Sequence, residues 1–289
     1  MEELIEEYNE RLRDLETVMA AGIAAALDRY FRTLQGRIQI ELQSGQSPAA
    51  ATATRAVELV PPLLPDESDE LLQIFEDLLR QATTSGLALG AELSKPVVSS
   101  PVAATIQVAE VVSQARRARR YLEEHSRAFS IAAAGIVAQA IAEQRATAEI
   151  MKDIRRRLDV LKSRAEVVVR TESMTAANSA TASYYVQNNI KLVVYYATAD
   201  DRTCPFCIAF AGKVFKVGAV KVPRHPNCRC YLAPYSNDPF GKNSAYDKER
   251  RKHRREVLSY AKAKGVVPDE GPAFFELGSP LPIRTDAQR

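Results

Sequence analysis

Tryptophan is absent from the 289 residues, and no apolar run reaches the roughly 18–20 residues that a membrane span needs. The best apolar candidate, residues 129–142, is short, alanine-rich and interrupted by Gln139, which predicts a buried or partner-facing helix. The chain starts with an acidic segment rather than the basic and then apolar run of a signal peptide, so we expect no membrane association and reduced thiols. Abundant alanine and 46% hydrophobic residues are typical of a mostly helical protein.

Motifs of several enzyme classes are also missing. The sequence has no glycine-rich loop of the kind that cradles phosphates, and no nucleophile elbow of the hydrolase type. Only three histidines are present, at positions 125, 225 and 253. These absences favour a protein that binds and assembles over an enzyme.

The net charge of +3 conceals a difference between the two ends of the chain. Residues 1–110 carry 8 Lys and Arg against 18 Asp and Glu, a balance of −10. Residues 111–289 carry 31 against 18, a balance of +13. This asymmetry predicts different partners for the two regions.

Cysteine occurs four times, and all four residues lie within one short stretch. Cys204 and Cys207, the first cysteine pair, have the C-x-x-C spacing that lets a turn direct both sulfurs at one ion. Cys228 and Cys230, the second cysteine pair, project from the same face of an extended segment. Between the pairs, Gly212, Gly218 and strand-forming residues predict a small β-hairpin. We therefore predict one structural Zn²⁺ per chain.

His225 is a fifth candidate ligand, three residues before Cys228. We favour the four thiolates, but a site of three cysteines with His225 in place of Cys230 or Cys228 stays open. Two disulfides and a redox C-x-x-C motif are the other interpretations. The lack of a signal peptide argues against the first, and the lack of a βαβ context argues against the second.

The segment around the cysteines resembles a known family. The runs T-A-D-D-R-T-C-P-F-C (198–207), G-K-V-F (212–215) and P-R-H-P-N-C-R-C (223–230), with V-R-T-E (169–172) upstream, are similar to the minor head proteins of tailed phages typified by the phage Mu F protein. The resemblance covers about residues 165–235. It implies a virion component at the portal vertex that acts in head assembly, with contact to packaged DNA as a further expectation. The implied partners are the portal protein and the major capsid or other head proteins, with several copies around the portal.

Apolar residues at steps of three or four predict a long helix over residues 2–43 and a further one over 66–93. A short helix is expected at 48–60, and residues 102–186 are helical with predicted breaks near Gly135 and Met151. Small side chains along 176–183 predict close contact with another element. A strand at 192–196 and a helix at 244–264, ended by Gly265, complete the prediction.

The predicted fold is mainly α with a small α+β, zinc-stapled module. Long N-terminal helices (1–160, an assembly or docking region) precede a helix and short β-hairpin that carry the metal site (161–236). A basic helix and a proline-rich tail with Phe274 and Phe275 follow (237–289). Asp200 and Asp201, before the first cysteine pair, are expected to cap a turn and hold Arg202.

Two basic clusters are candidates for contact with nucleic acid or an acidic partner, since charge runs either bind phosphates or remain solvated. They are Lys248, Arg250, Arg251, Lys252, Arg254 and Arg255, and Arg116, Arg117, Arg119 and Arg120. The sequence thus favours a structural head protein. A nuclease of the HNH kind, using His225 and Asn227, is the alternative, but a second metal-holding side chain is not evident.

Overall fold

The structure is a computed structural model that describes residues 2–43, 60, 69–105, 107–143, 145–200, 203–235 and 245–269. Six helices and three strands are found in these ranges. The helices are α1 (Glu2–Gln43), α2 (Asp69–Ser94), α3 (Val108–Ala142), α4 (Thr147–Gln187), α5 (Pro205–Phe210) and α6 (Ala245–Ala263), and the strands are β1 (Leu192–Tyr196), β2 (Val214–Lys216) and β3 (Tyr231–Tyr235). The predicted mainly helical class is confirmed. The short helix expected at 48–60 and the tail with its two phenylalanines lie largely or wholly outside the described residues.

Most helix predictions follow the apolar periodicity closely. Helix α1 has the predicted bounds, and α6 ends as expected at Gly265, whose φ is +67°. The Val266 N–H donates to Ala261 O at 2.9 Å, and the Gly265 N–H donates to Lys262 O at 3.2 Å. This is the Schellman arrangement, which satisfies the last carbonyls of a helix.

The predicted breaks at Gly135 and Met151 are wrong. Both residues lie inside helices, and the chain turns between the end of α3 at Ala142 and the start of α4 at Thr147. A single glycine costs a helix only about 1 kcal/mol, so the alanine-rich flanks carry α3 through it. At the turn, the Arg145 N–H donates to Ala140 O at 2.9 Å, and the Arg145 side chain pairs with Asp153 at 2.7 Å.

The strands form one antiparallel sheet in the order β2-β1-β3. Strand β1 is central, with Val193 opposite Phe215 of β2 and opposite Pro234 of β3. The predicted hairpin between the cysteine pairs is therefore wrong. Residues 214–216 pair with the preceding strand β1, and the segment after Gly218 forms bends and a turn instead of a strand.

The chain divides into two compact units. One comprises residues 1–15, 76–114 and 170–289, and the other residues 16–75 and 115–169. The predicted functional boundaries at residues 160 and 236 stay a prediction, because a division into compact units does not test which residues share a function. In the second unit, Lys162 and Arg155 pair with Asp28 at 2.7 and 3.0 Å, and these cations hold the pKa of the Asp28 carboxyl below its usual range.

In the first unit, α2 and α4 approach closely through small residues. A Cβ placed on Gly86 of α2 would lie 2.1 Å from Ala177 O of α4, so only glycine fits. The Thr181 hydroxyl donates to Gly86 O at 2.8 Å across the same crossing. The expectation that the small side chains at 176–183 allow close contact is confirmed. The crossing positions α4 beside the sheet and the cysteines.

Candidate metal centre

The first cysteine pair is positioned by helix α5. Cys204 is its N-cap, and the Cys204 sulfur accepts from the Cys207 N–H at 3.4 Å. Pro205 at the first helical position has no N–H to satisfy and its φ suits the helix start. Both sulfurs therefore lie on the same side of a single helical turn.

The second cysteine pair follows a strained turn. Asn227 adopts a φ of +63°, a left-handed conformation that asparagine tolerates better than most residues. Its N–H donates to the Thr171 hydroxyl at 3.2 Å, and its side-chain oxygen accepts from Arg170 at 3.3 Å. The V-R-T-E segment of α4 thus holds the turn that presents His225 and Cys228.

The five candidate ligands lie in one cluster. The His225 Nε2 is 3.0 Å from the Cys204 sulfur and 3.3 Å from the Cys207 sulfur, and the Cys207 and Cys228 sulfurs are 3.7 Å apart. The ligand atoms form two groups, Cys204–Cys207–His225 and Cys207–Cys228–Cys230. Within each group, all the ligand atoms lie within 4.8 Å of one another. A tetrahedral zinc with Zn–S bonds of about 2.3 Å separates its sulfurs by about 3.8 Å, so the cluster fits this metal.

The tautomer of His225 also suits a ligand. Its Nδ1 lies 2.8 Å from Pro226 O, and only a protonated Nδ1 can donate to that carbonyl. With the proton on Nδ1, the lone pair on Nε2 of the neutral imidazole faces the cysteine sulfurs. Metal-binding histidines commonly make this outward hydrogen bond.

The pKa values of the clustered side chains are shifted strongly by their neighbours and by burial. A hydrogen bond from Cys207 and the neighbouring His225 lower the pKa of Cys204 to about 5. Burial acts to lower the pKa of His225, but hydrogen bonds to Cys204 and Cys228 outweigh it and raise that pKa to about 10. The pKa of Cys207 is raised by its cysteine neighbours, and that of Cys230 by burial and the adjacent Cys228. Burial acts to raise the pKa of Cys228, but hydrogen bonds with Cys207, Cys230 and His225 outweigh it and lower that pKa well below its ordinary value. Two of the four thiols thus ionise readily and two resist, and a divalent metal would stabilise all of them as thiolates.

Residues that the sequence did not single out surround the cluster. The Tyr195 hydroxyl of β1 lies 3.2 Å from the Cys207 sulfur. Asn178 of α4 donates to Cys230 O at 3.3 Å, and Tyr185 of α4 donates to Leu232 O at 3.0 Å. Arg224 is buried, donates to Phe206 O at 2.6 Å and stacks 3.7 Å above the Phe210 ring. Only the left-handed Asn227 carries a local sequence signal, because the other contacts join segments far apart in the chain.

A polar turn precedes the first cysteine pair. The Thr203 N–H donates to Asp200 O at 2.9 Å, and the Thr203 hydroxyl accepts from the Asp200 N–H at 2.9 Å. The side chain that caps this turn is thus that of Thr203, while Asp201 and the expected contact of Asp200 with Arg202 lie outside the described residues. The Asp200 carboxylate instead reaches Arg229 of the second cysteine pair.

The basic run on α6 separates into inward and outward side chains. Arg250 pairs with Asp247 at 2.7 Å and donates to Gly212 O at 3.3 Å, and Arg254 donates to Ala211 O at 2.8 Å. These two arginines satisfy carbonyls after the end of α5. The other four cations of the run are exposed and recur at steps of three and four residues: Lys248, Arg251, Lys252 and Arg255. Of these, Arg251 also pairs with Asp247, and Lys252 pairs with Glu256.

The second basic cluster lies on α3. Arg119 is half-buried and pairs with Glu123 at 2.6 Å, one turn along the helix. Arg116, Arg117 and Arg120 are exposed. This cluster therefore has three exposed cations.

The histidines are engaged within the fold. His225 faces the thiols, and Asn227 is held by α4. His253 is buried, stacks on Tyr196 with ring centroids 4.5 Å apart, and its Nε2 accepts from the Ala197 N–H at 3.2 Å. His125 packs against Tyr121, and burial lowers the pKa of its imidazole.

Residues 132–233 match the family described as Phage Mu protein F like protein. The resemblance seen in the sequence is confirmed over that segment, which includes all five candidate ligands. A search of the curated proteins found no match, and a search of the solved structures found none either. Among the described helices, none combines the length and apolarity that crossing a membrane requires.

Proposed function

We propose that this chain is a structural protein of a tailed-phage head, bound at the portal vertex and acting in head morphogenesis. The observation that carries the proposal is the match of residues 132–233 to the phage Mu F-like family. The long helices α1 to α4 and the engagement of His225, Asn227 and His253 in packing suit a binding role. In this role the protein acts through its surfaces, in several copies around the portal.

We also propose that one zinc ion holds the two cysteine pairs together. Cys204 and Cys207 belong to every candidate ligand set, and we take Cys228, whose sulfur lies 3.7 Å from that of Cys207, as the third ligand. The distances from Nε2 to the first pair, and the Nδ1 contact with Pro226 O, favour His225 as the fourth ligand over Cys230. The metal would supply a covalent-like cross-link between segments 21 residues apart in a module with a small core.

The exposed cations of α6 are proposed to contact packaged DNA. Lys248, Arg251 and Arg255 recur at steps of three and four residues, so they line one side of the helix. That side spans about 10 Å at 1.5 Å per residue, a length over which duplex DNA presents several phosphates. The acidic surface of a head protein is the competing partner, and a DNA-binding titration distinguishes the two.

The portal proposal is tested in assembled particles. Heads of the phage that encodes this chain should contain it, and mild dismantling should release it in a complex with the portal protein. Absence from purified heads, or release with capsid fragments that lack portal, would reject the location. Particles assembled without the chain provide the control, because a morphogenesis protein changes the yield or the completeness of heads.

A further inference from the structure

Tyr195 occupies a distinctive position behind the cysteine cluster. It lies on the central strand β1, is fully buried, and its hydroxyl is 3.2 Å from the Cys207 sulfur and 4.0 Å from the Cys228 sulfur. The Phe210 ring meets the Tyr195 ring edge-on, with centroids 5.8 Å apart. Burial of the side chain and its contact with the Phe210 ring thus fix the direction of the hydroxyl.

We propose that Tyr195 is a positioning residue that donates a hydrogen bond to the metal-bound sulfur of Cys207 and so sets how tightly the site holds its metal. This inference rests on the metal proposed above. A metal-bound thiolate carries no proton, so in this pair the phenol must be the donor. Hydrogen bonds to a coordinated thiolate draw charge from the sulfur and hold the ligand in place.

Cys207 is the ligand for which such a bond matters most. It belongs to both groups of neighbouring ligand atoms, whereas Cys204 and His225 appear in one group and Cys228 and Cys230 in the other. The role of Tyr195 is therefore the same whether His225 or Cys230 completes the site. In a buried site, a neutral donor to an ionised sulfur contributes more than it does in water.

The chain offers a matched control in Tyr185. This residue is also fully buried in the same apolar cluster, and its hydroxyl donates to a backbone carbonyl, Leu232 O, at 3.0 Å. Tyr185→Phe and Tyr195→Phe each remove one buried hydroxyl and leave the ring. Only the change at Tyr195 removes a donor to sulfur.

The experiment compares the full chain and the two variants, each loaded with Zn²⁺ or with Co²⁺. Zinc transfer to a chromophoric chelator should be on the order of 10-fold or more faster for Tyr195→Phe, and within about twofold of the unchanged protein for Tyr185→Phe. The sulfur-to-cobalt charge-transfer band should move to lower energy in Tyr195→Phe alone, because the sulfur regains electron density. A general loss of packing would speed transfer in both variants without this selective shift.

A second variant tests the direction of the effect without removing the hydroxyl. Site-specific 3-fluorotyrosine at position 195 has a more acidic phenol, so it should move the charge-transfer band to higher energy and slow the transfer of zinc. Identical bands and transfer rates for the unchanged protein and the position-195 variants would overturn the role of Tyr195 while leaving the metal in place. Failure of the unchanged protein to take up either metal would reject the metal proposal itself, and the role of Tyr195 with it.

Discussion

The Asp200 carboxylate pairs with the guanidinium of Arg229, the residue between the two cysteines of the second pair. The two side chains are 32% and 11% exposed, so the contact is largely shielded from water. It joins the turn before the first cysteine pair to the second cysteine pair through protein atoms alone. The two pairs are thus brought together by an ion pair as well as by any metal.

Removing this ion pair should destabilise the metal-free module. Hydrogen bonds between charged groups contribute about 1.5–3 kcal/mol, and the partial exposure of Asp200 lowers our expectation to about 1–2 kcal/mol. Urea unfolding of Asp200→Asn, Arg229→Gln and the double variant measures the coupling energy. The exposed pair Lys252–Glu256 is the control and should couple by less than about 0.5 kcal/mol. Equal coupling in both pairs would contradict the structural role.

Gly86→Ala should be strongly destabilising. The added methyl would meet the Ala177 carbonyl at 2.1 Å, and backbone of two packed helices cannot move aside at low cost. We expect a loss of about 2–3 kcal/mol in the free energy of unfolding, which is large for a change that improves helix propensity.

Gly135→Ala provides the matched control for that prediction. Gly135 lies inside helix α3, and a Cβ there would have no neighbour within 4 Å. The same substitution should therefore be neutral or stabilise by up to about 1 kcal/mol through helix propensity and lower unfolded-state entropy. A comparable loss at both positions would mean that the α2–α4 crossing is not the cause.

The metal-free protein should show a stability plateau in pH. The lowered pKa of Cys204 gives a stabilising contribution that is complete above the ordinary thiol value of 9.0 and is lost as pH falls through about 5. The raised pKa of His225 gives a second stabilising contribution, which is complete below pH 6.5 and is lost as pH rises through about 10. The two trends offset each other between pH 6.5 and 9, where stability should be greatest.

Unfolding of chelator-treated protein from pH 4.5 to 10.5 measures this profile. Cys204→Ser and His225→Gln should each flatten both sides of the profile, because each of the two side chains shifts the pKa of the other. A profile that both variants leave unchanged would assign the pH dependence to other groups.

Metal analysis should find one zinc per chain in the purified protein. Cys204→Ser and Cys228→Ser should lose it, because Cys204 belongs to every candidate ligand set and Cys228 is the third ligand proposed above. Comparison of His225→Ala with Cys230→Ser identifies the fourth ligand, since the variant that loses zinc more readily has lost a bond to the metal. Folded protein without metal in every preparation would exclude the zinc site.

Duplex DNA binding should depend on salt through the outward cations of α6. Each phosphate contact contributes about 0.9 to the log–log slope, so changing Lys248, Arg251, Lys252 and Arg255 together to Gln should reduce the slope by up to about 3.6. The control changes the exposed arginines of the α3 cluster, Arg116, Arg117 and Arg120, which carry similar charge on a different helix. Equal slopes for the unchanged protein and the α6 variant would reject DNA contact by α6 and favour an acidic protein partner.

Local sequence patterns were sufficient for most of the helices. Apolar spacing defines α1, and Gly265 marks the end of α6, because both signals act within one or two turns of chain. The clustering of the cysteines and the neighbouring His225 could also be predicted from their spacing. Contacts between distant segments could not, and they decide the sheet order and the surroundings of the cluster.

Two examples show the physical reason. Strand β1 accepts β2 and β3 on its two edges, and nothing within residues 192–196 indicates which later segments supply them. Likewise, the inward direction of Arg250 and Arg254 depends on carbonyls at Gly212 and Ala211, about 40 residues earlier. The number of cations in a stretch of sequence therefore overstates the number that a binding partner can reach.

The contacts between α4 and the second cysteine pair have a consequence for synthesis on the ribosome. Residues 227–232 bind side chains of α4 that lie 47 to 57 positions earlier in the chain, so α4 is already outside the ribosome when they emerge. The first cysteine pair emerges some 21 residues ahead of Cys228 and has only His225 and later residues to complete its coordination. We expect a nascent chain that stalls before Cys228 to present two uncommitted thiols, and the complete cluster to form only as β3 joins the sheet.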